Sequence, residues 1–273
     1  MEPKLQRRVQ RYGWDKAAGY YEGYWGAQLA EAQRRLLDLA APRPGERVLE
    51  LACGTGLVTF PLAERIGPGG ALVGTDISEE MVAAAGRKAG EIGCTNVVFQ
   101  RMDAEELDFE DGRFDLALCS LGLMYVPDPG QSFQEMFRVL RPGGRAAVLV
   151  WGRRNRCGWA DIFPIVDARV KSEVCPLFFQ LGGEGVLDHR MAAAGFTALN
   201  TERFSHSLSY GSGEEACLAA FQGGQVALAY DRFDEQTREE AHAEFLTSIS
   251  SYKIGSGYQV PGEFVICSGV KQE

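Results

Sequence analysis

The stretch Val48-Leu49-Glu50-Leu51-Ala52-Cys53-Gly54-Thr55-Gly56 decides the fold. Apolar residues lead into a tight glycine turn, and a helical pattern follows over residues 57–66. Strand, glycine turn and helix together bring bare backbone up against a nucleoside cofactor. Glu50 stands just before the turn. A carboxylate there suits a cofactor with a cationic amino-acid tail and repels a pyrophosphate.

Outward from this stretch, short apolar runs alternate with helical patterns, the signature of a parallel α/β sheet. The expected strands are residues 47–52, 71–76, 97–102, 114–120 and 146–152, with helices over 57–66, 79–92 and 131–140 between them. The turn Arg141-Pro142-Gly143-Gly144 stops the last of these helices and feeds the fifth strand. Beyond it, a helix over 184–194, an extended run over 196–210, helices near 214–221 and 235–248 and a last strand over 262–270 extend the sheet to seven strands. The reading is one α/β domain, a Rossmann-like, seven-stranded, mostly parallel sheet with helices on both faces. Residues 1–40 form an N-terminal helical lid rich in aromatics, and residues 153–182 and 211–261 are inserted caps over the substrate.

At 273 residues the chain can bury a sizeable core. Its net charge of -9 argues against a nucleic-acid surface, which needs a basic stripe. No apolar run is long enough to cross a bilayer, and the N-terminus lacks the apolar core of a signal peptide, so the expected compartment is the cytoplasm. The seven cysteines and three histidines show no metal-ligand spacing, and no metal site is assigned.

Two cofactor classes compete for the turn. A nicotinamide or flavin site needs a small third residue in its glycine fingerprint, and Thr59 stands there; Glu50 also has the wrong sign. S-adenosylmethionine carries no phosphate. Gly54 and Gly56 let backbone approach it, and Glu50 stabilises its cationic end. Asp76, ending the second strand, can accept both ribose hydroxyls, and Asp103, ending the third, can accept from the adenine amino group. Ser78 is placed to cap the next helix, with Met81 opposite the adenine. Cys119-Ser120-Leu121 closes the fourth strand, where the reactive methyl is expected.

Residues 47–151 resemble the class I S-adenosylmethionine-dependent methyltransferases, and most of all the small-molecule group that includes ubiquinone and menaquinone biosynthesis enzymes. The resemblance rests on Val48 to Gly56, Gly74-Thr75-Asp76-Ile77-Ser78, Met102-Asp103-Ala104, Phe114-Asp115-Leu116-Ala117 and Val139-Leu140-Arg141-Pro142-Gly143-Gly144. It implies an antiparallel final strand, cofactor contacts at Glu50, Gly54, Asp76 and Asp103, and methyl transfer; the aromatic N-terminal segment and the apolar residues of the two insertions point to a small, apolar or aromatic acceptor, reached by direct in-line substitution. The candidate cofactor contacts are Glu50, Ala52, Gly54, Gly56, Asp76, Ile77, Met81, Asp103, Ala104 and Cys119, with Tyr21 from the lid. Tyr20 and Tyr125 are the candidate acceptor contacts. Ala52 stands where many relatives carry glycine, and Tyr125 where many carry histidine. Tyr20, Tyr21, His189 and His206 are candidate bases, but no motif places any of them, so no catalytic residue is assigned. The alternative function is a protein of the same fold that binds the cofactor in a non-methylating or regulatory role.

Overall fold

The computed structural model describes residues 2–170, 175 and 177–272. The helices are α1 (Pro3–Ala40), α2 (Thr59–Ile66), α3 (Glu79–Ile92), α4 (Pro129–Val139), α5 (Ile162–Asp167), α6 (Val186–Ala193), α7 (Gly213–Phe221), α8 (Ala227–Tyr230) and α9 (Glu235–Ser248). The strands are β1 (Arg47–Leu51), β2 (Ala71–Asp76), β3 (Val97–Arg101), β4 (Phe114–Ser120), β5 (Leu140–Trp151), β6 (Thr197–Tyr210), β7 (Lys253–Ile254) and β8 (Gly257–Val270).

They form one open sheet in the order β3-β2-β1-β4-β5-β8-β6, with β7 hairpinned onto β8. The first five strands run parallel, and β8 lies antiparallel between β5 and β6. Strands covered on both faces read as unbroken apolar runs. This is why Val48, Leu49 and Leu51 of β1 and Leu116 to Cys119 of β4 are all buried. Such strands point their C-terminal ends at one edge, and ligands of open α/β sheets gather there.

The seven expected strands are present, and the two-residue β7 makes an eighth. It is a short hairpin return at Gly255 (φ +61), too brief to leave a periodic signal. β5 starts earlier than expected, because the Arg141-Pro142-Gly143-Gly144 segment bulges within the ladder between the Phe114–Leu140 and Leu116–Arg145 pairs. β8 also starts early, so residues 257–261 of the expected second cap are sheet. Of the first cap, residues 171–174 and 176 lie outside the described residues. No helix among the described residues is long and apolar enough to cross a membrane.

Helix α1 is held by a single inward stripe. Gln6, Gln10, Gly13, Ala17, Tyr21, Trp25, Leu29, Ala32, Leu36 and Ala40 recur at the three- and four-residue spacing that keeps one helix face turned inward. The second half of the stripe is apolar and joins the main core. The first half contains glutamines and small residues and runs on past the sheet edge. Polar ties fasten that half: Ser78 Oγ donates to Asp15 Oδ1 at 2.6 Å, Lys88 pairs with Glu22, and Arg11 pairs with Glu79 at 3.3 Å.

Candidate active site

The turn after β1 carries left-handed backbone at Ala52 (φ 53), Gly54 (φ 55) and Gly56 (φ 93). At Ala52 this conformation costs on the order of 1 kcal/mol. Gly122, after β4, faces it; a Cβ there would lie 2.3 Å from the Ala52 Cβ, so only glycine fits. The Gly54 N–H donates to Asp76 Oδ2 at 2.9 Å, and the Ser78 N–H donates to Asp76 Oδ1 at 2.9 Å. Ser78 in turn caps α3 by accepting from the Met81 N–H at 3.1 Å. The Asp76 carboxyl is thus fixed by backbone on both oxygens, and each oxygen keeps a second lone pair for another donor.

Burial dominates the electrostatics here. It pushes Asp76 up to about 6, against the pull of its backbone N–H donors. Burial pushes Glu50 up to about 8, although Thr59 Oγ1 donates to its Oε2 at 2.6 Å. The nearby Asp76 charge adds to the rise at Glu50. These carboxyls sit where a cation would be strongly favoured.

A cleft of about 770 Å³, including its solvent-open mouth, lies over the C-terminal ends of β1, β2, β3 and β4. Ala52, Gly54, Asp76, Ile77, Met81, Asp103 and Ala104 line its floor and sides. Arg7, Trp14 and Tyr21 of α1 cover it. Arg7 pairs with Asp103 and with Glu105 at 2.8 Å each. A second chamber, of about 530 Å³ including its solvent-open part, shares the wall formed by Trp14, Tyr21, Leu121 and Tyr125. Trp14 meets both Tyr21 and Tyr125 edge to face, with ring centroids 5.6 and 5.2 Å apart. The chamber lies between the sheet edge and residues from both expected cap segments: Trp159 and Ile162 from the first, and Ala220, Gln225 and Phe245 from the second.

Most of the expected residues meet at this edge, but four do not line the cleft. Tyr20 is 50% exposed and touches neither cavity, which corrects the expectation that it closes the site. Neighbouring helical residues point about 100° apart, so the turn that brings Tyr21 inward sends Tyr20 out. Cys119 is fully buried behind the lining, because side chains alternate along β4; Ser120, Leu121 and Gly122 reach the cleft instead. Gly56 backs onto the Phe60 ring. Glu50 lies under the lining, held by Thr59. Burial pushes the phenols of Tyr21 and Tyr125 well above their ordinary range, so neither is a base near neutral pH. Neither His189 nor His206 lines either cavity.

Sequence reasoning did not place Arg7 or Glu105 in the cleft. The α1 stripe could have pointed to the helix face that carries the lid residues. Ser120, at the strand end the sequence pointed to, has a buried Oγ with no partner among the described residues.

The fold is an open Rossmann-like sheet, with its cleft at the strand-end edge where ligands of such sheets gather. More specifically, residues 48–144 match the sequence profile of a methyltransferase domain. The chain is 41% identical over 131 residues to nocamycin O-methyltransferase of Saccharothrix syringae, covering 48% of this chain and 47% of the relative. It is 40% identical over 118 residues to 2-phytyl-1,4-naphtoquinone methyltransferase of Synechococcus elongatus, covering 43% and 51%. The matched stretch thus spans about half the length of these curated relatives. In fold, the chain is similar to the YcgJ protein from Bacillus subtilis, with a TM-score of 0.63 at 18% identity, covering 89% of this chain and 99% of that one.

The residues present fit S-adenosylmethionine. Asp76 and Asp103 accept only, which matches a hydroxyl pair and an amino group, both donors. The unpartnered Ser120 hydroxyl adds a buried donor or acceptor to the cleft wall. Buried Glu50 and Asp76 suit a ligand carrying positive charge.

Proposed function

We propose that this protein transfers the methyl group of S-adenosylmethionine to a small, apolar or aromatic acceptor by direct in-line substitution. The observation that carries the reading is the shared wall: the cleft with the carboxylate-tipped strands opens beside an aromatic chamber, with Trp14, Tyr21, Leu121 and Tyr125 common to both. Two neighbouring sites separated only by side chains are what a two-substrate transfer needs.

When bound, the cofactor supplies a methyl group on a sulfonium, already activated for displacement. The protein's part is to bind, align and exclude water. In this reading Asp76 accepts from the ribose hydroxyls and Asp103 from the adenine amino group. The Gly54 backbone allows close approach, and Glu50 offsets positive charge from beneath. The aromatic wall keeps the reaction path dry, which strengthens every electrostatic contact inside. The acceptor enters the chamber roofed by residues of both cap segments. No residue is assigned as a base.

Calorimetry with S-adenosylhomocysteine, S-adenosylmethionine and NAD tests the cofactor. The first two should bind and NAD should not. An acceptor screen read by mass spectrometry should then show a product heavier by one methylene and stoichiometric release of S-adenosylhomocysteine. Binding without release under any acceptor would favour a non-methylating role.

A further inference from the structure

Among the described residues that line the cleft, Arg7 is the one cation, facing the carboxylates of Asp76, Asp103 and Glu105. It reaches from α1 to the loop that follows β3. Its Nε lies 2.8 Å from Asp103 Oδ2 and 3.0 Å from Glu105 Oε2, and its Nη2 lies 2.8 Å from the same Glu105 oxygen. Glu105 is fixed from behind: its Oε1 accepts the Asp128 N–H at 2.8 Å, and its side chain is 4% exposed. Asp103 Oδ1 accepts the Glu105 N–H at 3.0 Å. Carboxylate and guanidinium are thus held in one orientation. Glu105 alone would fasten α1; the added contact with Asp103 sets an acceptor and a donor side by side on the cleft wall. A guanidinium carries five N–H donors in one plane. The carboxylates engage Nε and Nη2 of Arg7, while Nη1 has no partner among the described residues and the side chain stays 35% exposed at the cleft.

We propose that Asp103 and Arg7 read the base of the bound nucleoside as a pair, Asp103 accepting from its exocyclic amino group and Arg7 Nη1 donating to a ring nitrogen that flanks this group. This rests on the reading of the cleft as the S-adenosylmethionine site with Asp103 at the adenine. Adenine presents the matching order, an amino donor between two unprotonated ring nitrogens. Arg7 is thereby a specificity residue for the cofactor, and its place on α1 ties that helix to the bound base. A site built to hydrogen-bond a ring nitrogen disfavours the analogue that lacks it, because the donor is then left unpaired.

The test is calorimetry on the whole chain with S-adenosylhomocysteine and with its 1-deaza and 7-deaza analogues. Each analogue replaces one flanking nitrogen by C–H and keeps the amino group. One of them should bind at least ~10-fold more weakly than the parent, as expected for a hydrogen bond to a charged group. In Arg7→Met and in Arg7→Ala, both of which remove the donors, the parent should bind more weakly and that analogue's deficit should shrink to within about 2-fold. The analogue that behaves in this way names the nitrogen. A general loosening of α1 would weaken all three ligands alike and leave their ratios unchanged. Deficits that persist in both variants, or analogues that bind the natural sequence as tightly as the parent does, would overturn the proposal. Failure of S-adenosylhomocysteine itself to bind the natural sequence would instead count against the methyltransferase reading, so the two failures are separable.

Discussion

Asp76 Oδ2 accepts the backbone N–H of Gly54 at 2.9 Å, tying the end of β2 to the turn that follows β1. One carboxylate thus sets the shape of the glycine turn and stands at the cleft wall. The other oxygen is held by Ser78, whose own hydroxyl caps α3 and donates to Asp15 of the lid helix. Turn, cap and α1 share one hydrogen-bonded junction.

The first prediction follows from that junction. On the proposed reading, Asp76→Ala removes an acceptor for the ribose hydroxyls, and it removes one anchor of the turn. Affinity for S-adenosylhomocysteine should fall by about 1.5–3 kcal/mol, roughly 10- to 150-fold, the range for hydrogen bonds to a charged group. The variant should retain the far-ultraviolet circular dichroism of the folded protein. Unchanged affinity would remove Asp76 from the site.

A second prediction concerns Gly54. Its φ of 55° suits glycine, and a Cβ there would approach the Tyr21 ring at 3.7 Å. Gly54→Val puts a branched side chain between the turn and the lid, in strained backbone. Cofactor binding should be lost with helical content retained. Normal binding by a folded variant would contradict the role given to the turn.

The third is a pH dependence of the ligand-free protein. Folding raises Glu50 from 4.5 to about 8 and Asp76 from 3.8 to about 6. Each carboxyl holds its proton more tightly when folded than when unfolded. Their contribution to stability is therefore full below the unfolded values and is lost as pH rises through the folded ones, across about pH 4 to 8. Glu50→Gln should flatten the upper part of that fall, from pH 6 to 8, by about 1–3 kcal/mol. Denaturant melts of both proteins across this interval measure it. Identical slopes would show that Glu50 is already ionised in the fold.

The fourth concerns α1. Its first half is fastened by polar ties such as Arg7 to Asp103, Arg11 to Glu79 and Lys88 to Glu22, whereas its second half is in the apolar core. Partly exposed ion pairs contribute little, so the first half should open locally well before the protein unfolds. Hydrogen exchange should be faster over residues 3–24 than over 29–40, and S-adenosylhomocysteine should slow the former chiefly. Uniform protection along α1 in the absence of ligand would rule out a lid.

The sequence made the sheet legible wherever strands were buried on both faces, since Val48 to Leu51 and Leu116 to Cys119 must then be apolar throughout. Asp76 and Asp103 could be brought to one cleft from the sequence because each stands at or just past the C-terminal end of a parallel strand, and those ends share one edge. Tyr20 and Tyr21 could not be told apart by composition; helical phase decided between them, and only the stripe through Ala17, Tyr21 and Trp25 sets that phase. At the end of β4, Cys119 is buried while Ser120 and Leu121, which the sequence put at the same place, line the cleft. The aromatic chamber was not legible as a site, because Trp25, Trp159 and Phe245 are far apart in sequence and meet only once both cap segments fold over the sheet edge.

The most direct measurement is a crystal structure of the protein with S-adenosylhomocysteine. The account predicts the ligand in the cleft over the ends of β1 to β4, its ribose on Asp76, its adenine beside Asp103, and its sulfur facing the wall of Leu121, Tyr125 and Tyr21 toward the tryptophan chamber. A ligand bound elsewhere, or one in the cleft with its sulfur turned away from that wall, would contradict it.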